Sequence, residues 1–154
     1  MEPLRLEQAL AIQTWKYEGD YAFYDSDDSP EVLSELLDGS YYGVEGSDGA
    51  LIGFFCYGRN AQVPAGRELG LYAGERILDI GLGLRPELTG QGRGIDFLTL
   101  GMQFARTEWK PDKLRLTVAA FNLRAIRCYM KAGFHEIARF DSRGTPFIVM
   151  LTSE

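Results

Sequence analysis

The sequence predicts an α/β protein: a sheet of mixed strand direction with helices packed on its faces. Three observations carry this. Strand-like and helix-like periodicities alternate along the chain in the order ααββ-βαβαββ. Two strand pairs are joined by short turn sequences, Gly46-Ser47-Asp48-Gly49 and Asp141-Ser142-Arg143-Gly144, and therefore read as antiparallel hairpins. The 154 residues are 45% hydrophobic and 25% charged, enough to bury one core as a single domain over residues 1–154 without disulfides or metal.

The elements follow from local pattern. Residues 6–17 carry Leu6, Ala9, Leu10, Ile12 and Trp15 at near-helical spacing. Residues 17–28 are crowded with aromatics and acids. Ser29-Pro30-Glu31 opens a second helix, with serine as cap and proline in the first turn, and that helix runs to about Leu37. Residues 40–45 and 50–57 form the first hairpin, residues 58–74 read as a loop, and residues 76–84 form a strand closed by Pro86. Residues 94–109 form an amphipathic helix with Ile95, Leu98, Met102, Ala105 and Trp109 on one stripe, broken by Pro111. A strand over 114–119 leads to a helix over 123–132, where Gly133 supplies the left-handed stop. Strands over 134–140 and 145–151 form the second hairpin.

Charge and composition narrow the function. The net charge is −6 and there is no dense Lys/Arg run, so no nucleic-acid partner is expected. The acidic balance suits a cationic partner such as an amine. No apolar run approaches the roughly 18 residues needed to cross a bilayer, and no basic-then-apolar leader opens the chain, so a cytoplasmic protein without membrane attachment is expected. Cys56 and Cys128 form no CxxC pair and His135 is the single histidine, so no metal site is expected and both thiols read as reduced.

The most informative segment is Arg85-Pro86-Glu87-Leu88-Thr89-Gly90-Gln91-Gly92-Arg93-Gly94, between a strand and a long helix. A helix start offers unpaired N–H groups and the positive end of the helix dipole. Glycines ahead of it let the backbone approach an anion closely, and together these make a diphosphate cradle, with Arg93 adding a cation. The spacing fits neither the P-loop nor the dinucleotide fingerprint. A Gly-rich turn that binds nothing is the alternative.

This segment resembles the cofactor motif of the GCN5-related N-acetyltransferases, Gln/Arg-x-x-Gly-x-Gly/Ala. Gly92 and Gly94 fall on its two small positions; the first position is Thr89, a departure. The preceding Leu84-Arg85-Pro86 is similar to the end of the family's fourth strand. A second block, Asn122-x-x-Ala125-x-x-x-Tyr129-x-x-x-Gly133-Phe134, is similar to the family's signature after its fifth strand. The resemblance covers roughly residues 40–151.

The resemblance implies a mostly antiparallel twisted sheet with one parallel, splayed strand pair, and acetyl transfer from acetyl-CoA to a primary amine by direct attack, with no acyl-enzyme. It implies that Thr89, Gly90, Gln91, Gly92, Arg93 and Gly94 hold the diphosphate, that the backbone of Leu82 and Leu84 receives the pantetheine amides, and that an N–H near Leu84 stabilises the oxyanion. Asn122 would touch the pantetheine arm, cap its helix, or do both. Tyr129 would protonate the departing thiolate, its alternative being a core aromatic.

An alkylamine of pKa about 10 must lose a proton before it attacks. Asp79 is the candidate base: strand alternation puts it with Gly81 and Gly83 on one face, where small residues leave room for a ligand. Its alternative is a salt bridge, since a lone buried carboxylate is costly. Glu75 and Asp25 are lesser candidates. Residues 17–28 are the candidate wall for the acceptor amine, their alternative being an acidic surface loop with its aromatics turned inward; residues 58–74 are the candidate for the other wall, and an edge strand leaves a homodimer open. The competing readings are a non-catalytic acyl-CoA sensor on the same fold, an unrelated nucleotide-binding module, and an interaction protein.

Overall fold

A computed structural model describes residues Met1–Ser153. The elements are β1 (Glu2–Pro3), α1 (Leu6–Thr14), α2 (Pro30–Leu36), β2 (Tyr41–Glu45), β3 (Leu51–Tyr57), α3 (Pro64–Glu68), β4 (Ile77–Leu84), α4 (Gly94–Glu108), β5 (Lys113–Ala119), α5 (Leu123–Lys131), β6 (Phe134–Ser142) and β7 (Thr145–Thr152). Short 3-10 helices occupy Gly19–Tyr24, Gly58–Ala61 and Pro86–Leu88. The strands form a seven-stranded sheet in the order β1-β2-β3-β4-β5-β7-β6. It is the mixed α/β sheet expected, with antiparallel β1/β2, β2/β3, β5/β7 and β6/β7 pairs and a parallel β4/β5 pair. Among the described residues no helix is long and apolar enough to cross a membrane.

The chain forms two compact units, Met1–Cys56 with Leu82–Gln91, and Tyr57–Gly81 with everything from Gly92 onward. In the first, Ala9, Ile12 and Trp15 of the α1 segment are buried, with Leu36, Tyr41 and Phe55. Trp15 stacks on Phe54 at 6.2 Å between ring centres, and Tyr41 leans on the same ring at 5.9 Å. Leu6 and Leu10, expected on this stripe, are exposed, and Gln8 and Gln13 are buried in their stead. Each glutamine satisfies backbone groups: Gln8 Oε1 accepts from Arg5 N, and Gln13 Nε2 donates to the carbonyls of Asp27 and Ser29. A buried amide is tolerated when its hydrogen bonds are made. Ser29 caps α2 as expected, accepting from Val32 N at 3.2 Å.

In the second unit, Leu98, Met102 and Ala105 of α4 are buried, as are Leu114, Leu116, Val149 and Met150. The 58–74 segment is more ordered than the loop expected. It holds α3, opened by Pro64 and pressed at Gly66 against Tyr72 and Phe140. Five helical residues are too few to show a period. The second hairpin turns more tightly than its sequence suggested. Ser142 pairs with Thr145, leaving Arg143 (φ 50°) and Gly144 (φ 84°) as a two-residue loop with both residues left-handed.

The parallel β4/β5 ladder is short. It pairs Ile77 with Lys113, Leu78 with Leu114 and Asp79 with Arg115, although β4 continues to Leu84 and β5 to Ala119. The expected splay therefore begins after Asp79. At that last rung the two side chains form a buried bidentate ion pair, Arg115 Nε to Asp79 Oδ1 at 2.7 Å and Nη2 to Oδ2 at 2.8 Å. Arg115 also donates to the carbonyls of Tyr72 and Ala73 and lies 5.2 Å from the centre of the Tyr72 ring. Gln62 Nε2 donates to Asp79 Oδ2 at 2.8 Å. Neither charge is left unpaired.

Removing one partner of such a pair strands the other charge in the interior. Arg115→Met is expected to lower the unfolding free energy by about 3–5 kcal/mol in a denaturant titration. A loss below about 1 kcal/mol, typical of an exposed ion pair, would contradict this.

Candidate functional site

The glycine-rich segment is built by its own side chains. After β4, Pro86–Leu88 makes one 3-10 turn. Thr89 Oγ1 donates back to the Pro86 carbonyl at 2.7 Å, and Gln91 Nε2 donates to the Glu87 carbonyl at 2.6 Å. Both side chains thus shape the loop from within. Arg85 is committed to β3, through its N–H to the Ile52 carbonyl at 2.8 Å and its Nη1 to the Leu51 carbonyl at 3.3 Å.

Gly90 and Gly92 both hold left-handed backbone, φ 73° and 74°. Arg93 follows in the right-handed region at φ −87° and ψ −9°. A left-handed residue followed by a right-handed one turns successive N–H groups toward a common point, a concavity suited to an anion. A Cβ on Gly92 would meet nothing within 4 Å, so that side of the loop is open.

Helix α4 starts here without a side-chain cap at Arg93, as short α3 does at Val63, whereas α2 is capped by Ser29 and α5 by Asn122. The first intrahelical bond is Phe97 N to the Arg93 carbonyl, so the N–H groups of Gly94, Ile95 and Asp96 precede the helical ladder. Arg93 is exposed and has no ion pair among the described residues. Asp96, exposed in the first turn, contributes a negative charge of its own.

The second block lies on α5. Asn122 Oδ1 accepts from Ala125 N at 3.1 Å, the cap expected of it. Tyr129 is half-buried, its ring edge-on to Phe134 at 6.1 Å. Gly133 ends the helix at φ 101°. The heads of α4 and the middle of α5 are close, since a Cβ on Gly94 would lie 3.3 Å from Cys128 Sγ. Cys128 and buried Cys56 are in no disulfide among the described residues, and burial pushes the Cys128 thiol up, against the pull of Lys131.

Two expectations about β4 meet other facts. The space beside Gly83 is not vacant, because a Cβ there would fall 2.5 Å from the Phe54 ring. The strand lacks a side chain at this point in order to receive an aromatic from β3. Asp79 is in the salt bridge that was its alternative, with both oxygens engaged. Arg115 was not singled out in sequence, although an arginine amid the apolar run of Lys113–Ala119 calls for a buried partner, as Asp79 does.

A further group was missed at the end of β4. The Tyr17 hydroxyl donates to the Leu84 carbonyl at 2.6 Å, and Tyr17 N donates to Asp25 Oδ1 at 2.8 Å. Burial, with the charges of Asp25 and Glu87, pushes the Tyr17 phenol up to about 12. The only sequence signal was its place among the aromatics and acids of residues 17–28.

The model of the acetyltransferase (GNAT) family matches residues 6–134. Comparison with curated proteins returns no match. Among solved structures, a chimera of the spermidine N-acetyltransferase SpeG from Vibrio cholerae and hSSAT is similar with a TM-score of 0.71 at 20% identity, over 98% of this chain and 93% of that one. A GNAT-family acetyltransferase from Bacillus anthracis is similar with a TM-score of 0.72 at 14% identity, over 97% and 90%. AAC(6')-Ib, solved with ribostamycin and coenzyme A, is similar with a TM-score of 0.70 at 18% identity, over 97% and 89%. At these identities the likeness is one of fold.

Filling the Gly83 position tests the packing of this strand. Gly83→Ala is expected to force the Phe54 ring aside and cost about 1–3 kcal/mol, as overpacking does, read as a lower melting temperature. An unchanged melting temperature would show that the ring yields freely.

Proposed function

We infer that this chain, which belongs to the acetyltransferase (GNAT) family and is an enzyme of acetyl transfer, takes the acetyl group from acetyl-CoA and passes it directly to a primary amine. The observation that carries this is the uncapped start of α4 behind a loop whose Gly92–Arg93 backbone turns N–H groups together. Such a concavity fits a diphosphate, and AAC(6')-Ib, a structural neighbour, was solved with coenzyme A. The family match runs over both compact units, which supports reading residues 1–154 as one catalytic domain.

When bound, acetyl-CoA supplies an activated thioester. The chain's residues do the rest. The N–H groups from Gly92 to Gly94 hold the diphosphate, and Arg93 adds a positive charge. Thr89, Gly90 and Gln91 keep the loop in its binding shape through the bonds to Pro86 and Glu87. The backbone of Leu82 would receive a pantetheine amide, and the Leu84 N–H, on the residue whose carbonyl already accepts from Tyr17, would be the donor to the thioester carbonyl oxygen. Asn122, already the cap of α5, lies on the same helix as Tyr129. Tyr129 delivers the phenol proton to the departing sulfur.

Asp79 we assign to holding Arg115, because both of its oxygens are already engaged. Proton removal from the amine then falls to water and Asp25, whose Oδ1 accepts from Tyr17 N; Glu75 precedes the opposite end of β4 from Leu84. A small amine as acceptor is supported by neighbours named for spermidine or solved with ribostamycin.

Calorimetric titration with acetyl-CoA, followed by a panel of amines monitored for free thiol, tests the reading. A protein indifferent to acetyl-CoA would end it. Gly92→Asp places a carboxylate in the concavity and removes the residue suited to left-handed backbone, so acetyl-CoA affinity is expected to fall at least about 100-fold. Retained micromolar affinity would mean that the diphosphate binds elsewhere. Tyr129→Phe is expected to lower kcat about 100-fold or more while acetyl-CoA affinity changes little. An unchanged kcat would remove it as the acid.

A further inference from the structure

We propose that Tyr17 is the residue that receives the acceptor amine, its phenol oxygen accepting a hydrogen bond from the amine nitrogen beside Leu84. This rests on the reading that acetyl transfer takes place at the Leu84 N–H.

The first support is direction. The peptide joining Leu84 to Arg85 is held at both ends: Arg85 N–H donates to Ile52 of β3, and the Leu84 carbonyl accepts from Tyr17. Across a trans peptide the carbonyl and the N–H point opposite ways, so the Leu84 carbonyl faces away from β3. In extended backbone a residue's own N–H shares the side of its own carbonyl. The Tyr17 hydroxyl therefore lies on the same side of β4 as the Leu84 N–H, where the reacting carbonyl would be held. An amine bonded to that oxygen is next to the carbon it must attack.

The second support is the chemistry of a committed hydroxyl. A phenol carries one proton and two lone pairs. The Tyr17 proton goes to the Leu84 carbonyl at 2.6 Å, and among the described residues no group donates to the oxygen in return. What it offers a ligand is acceptor capacity alone, which suits an N–H donor and rejects a carbonyl or a carboxylate. The raised phenol pKa keeps that proton in place at any working pH.

Charge is the third support. Asp25 and Glu87 both act electrostatically on the phenol. Glu87 is paired with Arg85 at 3.1 Å, so Asp25 carries most of the negative potential that favours an ammonium arriving there. Asp25 further accepts from Tyr17 N, so the residue is fixed at its backbone and at its hydroxyl.

The test uses the full chain, saturating acetyl-CoA, and four probe amines: ethylamine, n-butylamine, benzylamine and spermidine. If the wild type releases thiol with none of them, the acetyl-transfer reading falls and this inference with it. With an active wild type, Tyr17→Phe is expected to raise the KM for the amine about ten-fold or more, as loss of a hydrogen bond to a charged donor does, with acetyl-CoA affinity within about two-fold of wild type. An unchanged amine KM, or an equal loss of acetyl-CoA affinity, would overturn the assignment while leaving acetyl transfer intact. Should Tyr17→Phe fail to fold, Asp25→Asn keeps an acceptor for Tyr17 N and removes the charge; because Asp25 is also a candidate base, the amine KM and not kcat is its readout. Asp25→Asn is expected to raise the amine KM about three-fold at low salt and less at high salt, and no change at either would equally overturn the assignment.

Discussion

The buried pair between Asp79 and Arg115 sets the geometry on which the second unit depends. These residues are the last paired rung of the only parallel ladder described, and their side chains close over it. Beyond that rung β5 continues its pairing with β7 but the β4/β5 ladder ends, so it consumes none of the later backbone groups of β4. Arg115 also gathers the carbonyls of Tyr72 and Ala73, which fastens the segment after α3 to the same point. Tyr72 extends the tie, accepting from Val63 N and sharing a hydrogen bond with Thr117. A guanidinium suits this position because its fixed fork serves a carboxylate and two carbonyls at once.

Phosphate affinity, in this reading, comes from leaving a helix incomplete. Ser29 and Asn122 close the starts of α2 and α5 with a side-chain oxygen. Arg93 supplies no such oxygen to α4, and the residues ahead of it spend their side chains on the loop. The donors that a cap would have taken stay available, and two left-handed glycines bring the chain to them at low steric cost.

Most of the architecture was legible because each element carried its own signal. Alternating periodicity, Ser29 before Pro30, Asn122 three residues before Ala125, and Gly133 after a helical run are local facts, and local facts survive folding. What escaped depended on partners distant in sequence. Gly83 reads as space for a ligand until Phe54 is seen beside it. Asp79 reads as a base or as half of a salt bridge until Arg115 is placed opposite. Gln8 and Gln13 look like the polar side of α1, yet they are buried because Arg5, Asp27 and Ser29 present backbone groups for them to satisfy. The bond from Tyr17 to Leu84 joins residues 67 apart, and no periodicity reports it.

The open start of α4 has a consequence for handling the molecule. Donors that, as we propose, hold a diphosphate would not distinguish it sharply from other tetrahedral oxyanions. Sulfate from a precipitation step, or a phosphate buffer, would lodge at the same amides, stiffen the loop and shift thermal denaturation upward by simple mass action. A cationic organic buffer at low salt would leave the donors to water. Stability and substrate affinity measured in the two kinds of solution would then disagree, and the disagreement would measure how far that terminus is satisfied.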